Sequence, residues 1–290
     1  MIIVNLNGGL GNQMFQYTCG RALSLRSGDT ELKLDISGLE RANEVGDIYR
    51  PYGLSNFNIQ AGIAETKEVK KLKERYGIIS KGWRFFRMKI LRQNYVAFVP
   101  RIFRSRGNIY LDGYFQSEKY FEDFAEYIRT DLIPKTLSVI ATDWKQNIAS
   151  ETNAVSVHFR RGDYVGHNTL GEICSGEYYQ RAIGIVAQQA PGSRFFIFSD
   201  DIDWVRDNIK FPDGSKVDYV SSPDLKDYEE LILMATCRHN IIANSSFSWW
   251  GAWLNPNPNK IVIAPRKWAH GMYNNLIKLR NIIPAKWTKI

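Results

Sequence analysis

Apolar positions come in short runs divided by polar turns, and the runs alternate between two periods. Ile2 to Leu6 is a brief apolar run closed by Gly8-Gly9-Leu10-Gly11, and Asn12 to Arg26 then carries helical spacing through Met14, Phe15, Ala22 and Leu25. Glu31 to Ile36 reads as a second strand. Strand, glycine loop, helix and strand in that order predict a parallel α/β sheet. A charged helix is expected around Ala64 to Tyr76, and Asp123 to Lys145 reads as helical with a break at Pro134.

The pattern starts again after Thr152-Asn153. Ala154 to Phe159 predicts a strand and Glu177 to Gln189 a helix; Arg194 to Phe198 is a strand, Ser199-Asp200-Asp201 a turn, and Trp204 to Ile209 a helix. A strand at Val217 to Val220, a helix at Asp227 to Thr236, a strand at Asn240 to Ala243 and a helix from Phe247 to Asn255-Pro256 complete the series. The 290 residues suit two domains of about 140 each, placed at 1–152 and 153–290. In doubly wound sheets ligands bind beyond the carboxyl ends of strands, so the polar loops there should hold the chemistry.

Composition narrows the class without naming a function. Apolar residues make up 44% and charged residues 23%, which is ordinary for a globular protein. The net charge of +8 favours an anionic partner: a nucleic acid, an acidic lipid surface or a phosphorylated small molecule. Cys19, Cys174 and Cys237 are odd in number and form no CxxC pair, which argues against a disulfide framework or a zinc ribbon and for a reducing compartment. The first residues lack the basic region of a signal peptide, and no stretch reaches the roughly 20 apolar residues of a membrane span. A cytoplasmic location is expected. Lys81 to Arg106 holds eight Lys or Arg, no Asp or Glu, and the aromatics Trp83, Phe85, Phe86, Tyr95, Phe98 and Phe103. It reads either as a solvated basic face over a core-facing aromatic stripe or as a peripheral contact with an anionic inner membrane face or a lipid-linked acceptor.

Four segments could carry chemistry. In His158-Phe159-Arg160-Arg161-Gly162-Asp163-Tyr164 a strand runs into two arginines, whose guanidinium groups can grip a diphosphate or pair with Asp163 to fix a turn. In Asn244-Ser245-Ser246-Phe247-Ser248 serines stand at a strand-to-helix junction, able to cap the helix or to help bind a phosphate. Trp249, Trp250 and Trp253 read as core. Ser199-Asp200-Asp201-Ile202-Asp203 contains an Asp-x-Asp, open to helix capping, to a metal held by Asp201 and Asp203, or to a guanine contact by Asp200 with His158 nearby. Gly8 to Gln13 lacks the third glycine of a dinucleotide fingerprint, although Gly9, Gly11, Asn12 and Gln13 still offer donors to an anion. His167, His239 and His270 have no metal-ligand spacing.

Together these segments resemble the alpha-1,2-fucosyltransferase family, in particular its bacterial members. The matching stretches are Gly8 to Tyr17, Gly113 to Phe121, His158 to Tyr164, Phe198 to Asp201 and Asn244 to Leu254, in order along nearly the whole chain. The resemblance implies a GT-B-like α/β fold of two Rossmann-like domains facing a cleft, the first on the acceptor side and the second binding GDP-fucose. It implies inverting transfer of L-fucose from GDP-β-L-fucose to the 2-hydroxyl of a galactose-terminated glycan, with no metal, no cofactor and no nucleic-acid partner. By the family pattern His158 and Asp200 match guanine-recognition positions, Arg160 and Arg161 the diphosphate contacts with Asp163 beside them, and Ser245, Ser246, Phe247 and Ser248 the phosphate-side loop. The general base stays open. Related alpha-1,6 enzymes carry a Glu ten residues beyond the motif histidine, where this chain has Asn168; Glu172, Asp35 and Asp112 are the alternatives, along with a base-free dissociative transfer.

Overall fold

The computed structural model describes residues 1–39, 50–77, 90–92, 98–270 and 281–290. The chain divides into two compact units, one of Met1–Lys135 with Arg280–Ile282 and one of Thr136–Leu279 with Ile283–Ile290. The first holds β1 (Ile2–Asn5), α1 (Leu10–Arg26), β2 (Leu32–Asp35), β3 (Gly62–Ile63), α2 (Thr66–Gly77), β4 (Ile90–Arg92), β5 (Ile109–Asp112) and α3 (Ala125–Asp131). Its sheet runs in the order β3-β2-β1-β5-β4, with every pairing parallel. The chain winds to one side of β1 and then crosses to the other, so winding reverses between β1 and β5.

The second unit holds α4 (Val139–Ser150), β6 (Ala154–Phe159), α5 (Gly176–Gln189), β7 (Arg194–Ser199), α6 (Ile202–Asn208), β8 (Lys216–Tyr219), α7 (Asp227–Thr236), β9 (His239–Ile241), α8 (Ser246–Leu254), β10 (Val262–Ala264) and β11 (Thr288–Lys289). The order is β11-β10-β9-β6-β7-β8, again all parallel, and the reversal falls between β6 and β9. All six residues of β6 are buried, as a central parallel strand requires. Val155, Val157 and Phe159 form one core with Tyr178, Tyr179, Ile183 and Val186 of α5.

The observed boundary lies 17 residues before the expected one at 152/153, and Glu229 accounts for the shift. Its carboxylate accepts from the backbone N–H of Lys226 at 3.0 Å, boxing the start of α7, and from Ser138 N at 2.6 Å, at the cap of α4. Trp144 of α4 meets Phe196 of β7 edge-on, and Arg194 of β7 donates to Asn147 of α4. The helix assigned from sequence to the first domain therefore belongs to the second. Of Lys81 to Arg106, residues 81–89 and 93–97 lie outside the described residues. In the remainder Phe98 and Phe103 pack on the buried Tyr120, with ring centroids 4.9 and 6.2 Å away, in keeping with a core-facing stripe. No helix among the described residues is long and apolar enough to cross a membrane.

Helix α1 is buried on nearly every side although it carries Gln13, Gln16, Thr18, Arg21 and Ser24. Gly20 permits the approach to the sheet, since a Cβ there would lie 2.4 Å from Val4 Cγ2. Most of these polar groups survive burial because they are paired, Gln16 Nε2 being the exception among the described residues. Tyr17 Oη donates to Asp131 at 2.6 Å, Arg21 Nε reaches the same carboxylate at 3.1 Å, and Gln60 N donates to Tyr17 Oη at 2.9 Å. Removing the shared carboxylate takes the acceptor from Tyr17 and leaves Arg21 with Asp29, 2.7 Å from its Nη1, as its one remaining carboxylate partner. Asp131→Ala should cost about 3 to 5 kcal/mol and Tyr17→Phe only about 1 kcal/mol, read by urea unfolding; equal effects would contradict this network.

Candidate functional site

The loops after β6, β7 and β9 meet at the carboxyl edge of the second sheet, beside its winding reversal. Arg160 Nη2 lies 2.6 Å from Asp163 Oδ1 and its Nη1 2.8 Å from Asp200 Oδ2. The other Asp200 oxygen accepts from the backbone N–H of Arg161 at 2.8 Å. Gly162 makes this contact possible, because a Cβ there would stand 2.8 Å from Asp200 Oδ2. Asp200 thus laces the end of β7 to the turn after β6.

Arg161 is held differently. Its Nε donates to Asp201 Oδ2 at 3.0 Å and its guanidinium lies over the Trp204 ring, 3.7 Å from the centroid. Its Nη groups have no partner among the described residues. Asp201 also caps α6 by accepting from Trp204 N at 3.2 Å. Asp203 is exposed and pairs with Arg206. The two carboxylates of the Asp-x-Asp therefore have separate structural partners, and among the described residues no three His, Cys, Asp or Glu gather as metal ligands would.

His158 sits beneath the arginines at the end of β6. It is 5% exposed, and its Nδ1 is buried with no partner among the described residues. Burial, reinforced by the charge of Arg160, lowers its pKa to about 3, so the ring is neutral at any working pH. The Phe247 ring lies 5.7 Å away. Ser245 caps α8 by accepting from Phe247 N at 3.3 Å, and Ser248 Oγ donates to Ser245 O at 3.4 Å. Ser246 and Phe247 stay half-buried at the helix start. Tyr164 Oη donates to Asn244 O at 3.4 Å, tying the loop after β6 to the one after β9. Trp249, Trp250 and Trp253 are core residues.

Two of the ligand contacts expected from sequence change in weight. Asp200 has both oxygens engaged by the arginine turn, which leaves it poorly placed to read a base. Gln13, in the first unit, is fully buried: its Nε2 donates to the carbonyls of Gly8 and Pro51, and its Oε1 accepts from Gly53 N. It is a strut for the glycine loop. Gly9 forms the start of α1, and Asn12 accepts from Gln116 Nε2 at 2.7 Å. A further carboxyl near this edge, which the sequence did not single out, is Glu230 on α7. Burial raises its carboxyl to a pKa of about 7 against the hydrogen bond from Ser221, with the charges of Asp227 and Asp200 adding to the rise. Nothing in a lone Glu inside a helical pattern signalled this; only the fold brings α7 to the ends of β7 and β8.

Comparison with known proteins gives the family and the fold. The profile of Glycosyl transferase family 11 matches residues 1–290. An Escherichia coli alpha-1,2-colitosyltransferase is 30% identical over 100% of this chain and 99% of its own length. The Escherichia coli O-antigen biosynthesis glycosyltransferase WbnK is 31% identical over 94% of this chain and 96% of its own. Among solved structures, an Arabidopsis thaliana FUT1 mutant in complex with GDP superposes with a TM-score of 0.52 at 10% identity, covering 90% of this chain and 69% of that one. NodZ alpha-1,6-fucosyltransferase soaked with GDP-fucose gives 0.50 at 16% identity, covering 89% and 96%. These likenesses establish the GT-B-type α/β fold. The chain belongs to glycosyl transferase family 11 and is an alpha-1,2-fucosyltransferase-like glycosyltransferase.

Proposed function

We propose that this enzyme moves L-fucose from GDP-β-L-fucose to the 2-hydroxyl of a terminal galactose, inverting the anomeric centre without a metal ion. The observation that carries the reading is the meeting of Arg160, Arg161, neutral His158 and the start of α8 at the reversal point of the second sheet. Names of relatives support it: the similar full-length proteins include the alpha-1,2-colitosyltransferase, and a galactoside alpha-(1,2)-fucosyltransferase 1 of Aotus azarae is 30% identical over 34% of this chain. Colitose is a fucose lacking the 3-hydroxyl, so GDP-colitose belongs in the donor panel.

Fucose leaves with inversion when the acceptor oxygen attacks C1 opposite the departing diphosphate, on which charge gathers. Arg160 and Arg161 bring two positive charges, but Asp163, Asp200 and Asp201 bring three negative ones, so the cluster as it stands has no surplus to offer. Arg161 can turn its Nη edge to the diphosphate while keeping Asp201 at Nε. Arg160 must exchange a carboxylate for a phosphate oxygen. The N–H groups at the start of α8 supply further donors. A charge pair 4 Å apart is worth about 1 kcal/mol in water and about 4 at an effective dielectric of 20, so exclusion of water decides how much the arginines contribute.

Glu230, which accepts a hydrogen bond from Ser221 and feels the charge of Asp200, is the carboxyl group we assign to the guanine edge. Guanine donates from N1–H and N2–H, so it selects the carboxylate over the acid. Because the free group stays protonated up to about 7, GDP binding should release a proton below that pH and tighten as pH rises from about 6 to 8. Calorimetry in two buffers of different ionisation heat checks this, and Glu230→Gln should abolish the release. Uptake of a proton, or none at pH 6, would remove the assignment.

Arg161→Ala and Arg160→Ala should each lower turnover on the order of a hundredfold, as loss of a donor to transition-state charge does. Near-normal rates in both folded variants would defeat the reading. Chelator at millimolar strength should leave turnover unchanged; a loss restored by added divalent cation would favour a metal-dependent route instead.

A further inference from the structure

The arginine turn of the second unit holds more carboxylates than guanidinium groups, so the excess positive charge of the chain, +8, lies elsewhere. Part of it converges on a cavity of about 350 Å³ at the carboxyl edge of the same sheet. Arg266 and Lys267 enter from the loop after β10, and Arg181 from the second turn of α5. All three are exposed, and among the described residues their side chains have no hydrogen-bond or ion-pair partner. Glu177 is the one acidic side chain in the lining. With the carboxyl group of Ile290, which also lines the cavity, counted against them, the cations remain in excess. Like charges gathered in one place repel, and an anion between them removes that cost.

The walls of the cavity are fixed by the sheet. Tyr178, 7% exposed, donates from Oη to Ile242 O at 2.6 Å, just beyond β9, and seats the start of α5. Arg266 N donates to Ile290 O at 2.8 Å and Ile290 N to Ala264 O at 3.1 Å, which ties the loop after β10 to the end of β11. Ile173 and the buried Pro265 add apolar surface. Small-molecule sites are concave and preformed in this way, with apolar walls for packing and a few polar groups for orientation, and this volume suits a small ligand. The cavity is also separate from the arginine turn. β10 lies two strands from β6, which at about 4.8 Å per strand is about 10 Å along the edge, close to the Debye length at roughly 0.1 M salt. An anion beside Arg266 is therefore held by its own cations.

We propose that this cavity is a second anion site, which takes the phosphate group of a phosphate ester with a small apolar part. Arg181 and Arg266 supply guanidinium forks for phosphate oxygens and Lys267 a point charge, while Ile173 and Pro265 pack against the organic part of the ester. A soluble phosphate ester and the phosphate headgroup of a lipid share that chemistry.

The test titrates phenyl phosphate into the full chain by calorimetry, with and without saturating GDP. In GDP, binding of one molecule per chain is expected. Arg266→Ala and Arg181→Ala should each weaken it about tenfold, the value of a hydrogen bond to a charged group. Glu177→Gln should tighten it by up to about fivefold, because a like charge is removed. Lys216→Ala, on the exposed start of β8 at the opposite edge of the sheet, should leave it within about twofold, since charges that far apart are screened. Vesicles of phosphatidylcholine with and without phosphatidic acid sort the two sources: binding to the acidic vesicles that Arg266→Ala weakens assigns a lipid headgroup, and phenyl phosphate binding without it assigns a soluble ester. Displacement of phenyl phosphate by GDP, weakening by Arg160→Ala in place of Arg266→Ala, equal weakening by Lys216→Ala, or no binding of either probe overturns the site. A chain that fails to bind GDP yet binds phenyl phosphate through Arg266 defeats the donor reading and leaves this one standing.

Discussion

A parallel strand cannot be followed directly by its neighbour. The chain must cross back over the sheet, and every strand therefore delivers its next loop at the same edge. Where winding reverses, two such loops part and leave a crevice whose walls are strand ends. Both sheets here are wholly parallel and both reverse beside their first strand, at β1/β5 and at β6/β9. The positions of the functional residues are consequences of that placement. Arg160 and Arg161 follow β6, and Ser245 and Ser246 follow β9.

The two reversal points differ in how they handle charge. In the second unit, cations are bound to carboxylates until something replaces them: Asp200 is laced to both arginines, Asp201 to Arg161 and to the start of α6. Such a clamp keeps the guanidinium groups in fixed rotamers, which lessens the entropy lost when a diphosphate arrives, at the cost of competition from internal carboxylates. His158 and Glu230 meet the same surroundings by giving up charge, the imidazole held neutral and the carboxyl raised to about 7. At the first unit's reversal point the carboxylate of Asp112 accepts from the neutral amide of Asn5.

The strands that lead into the arginine and aspartate loops of the second unit were legible in the sequence because long apolar runs, Ala154 to Phe159 and Arg194 to Phe198, end in polar turns. The shorter β5, β10 and β11 were not. Ile109–Asp112 has four residues and Thr288–Lys289 two, too few for a period to be recognised, and their pairing is imposed by neighbouring strands. The domain boundary was misplaced for a related reason: α4 is joined to the second unit by Glu229, ninety-one residues after Ser138, and no local pattern reports a bond of that range. Arg160, Arg161 and His158 stood out in the sequence because residue type and strand-end position coincide. Their internal partners were only half foreseen. Asp163 beside Arg160 is close in sequence, whereas Asp200 is reached only through the register of β6 and β7.

Glu229 and Glu230 show how the fold gives adjacent, chemically identical side chains different work. Helical rotation turns one toward α4, where, despite burial, the N–H groups of Lys226 and Ser138 hold its carboxyl below the usual range. It turns the other toward the ends of β7 and β8, where burial dominates and the acid form persists to neutrality. The first is ionised because backbone donors face it, and it ties two helices into one unit. The second is protonated because its burial outweighs the one hydrogen bond from Ser221, so its ionisation can be completed by whatever ligand brings N–H donors to that strand edge. A purine edge bearing two such donors meets that requirement, which is why we assign nucleotide recognition on this fold to a residue whose charge is set only once the ligand is in place.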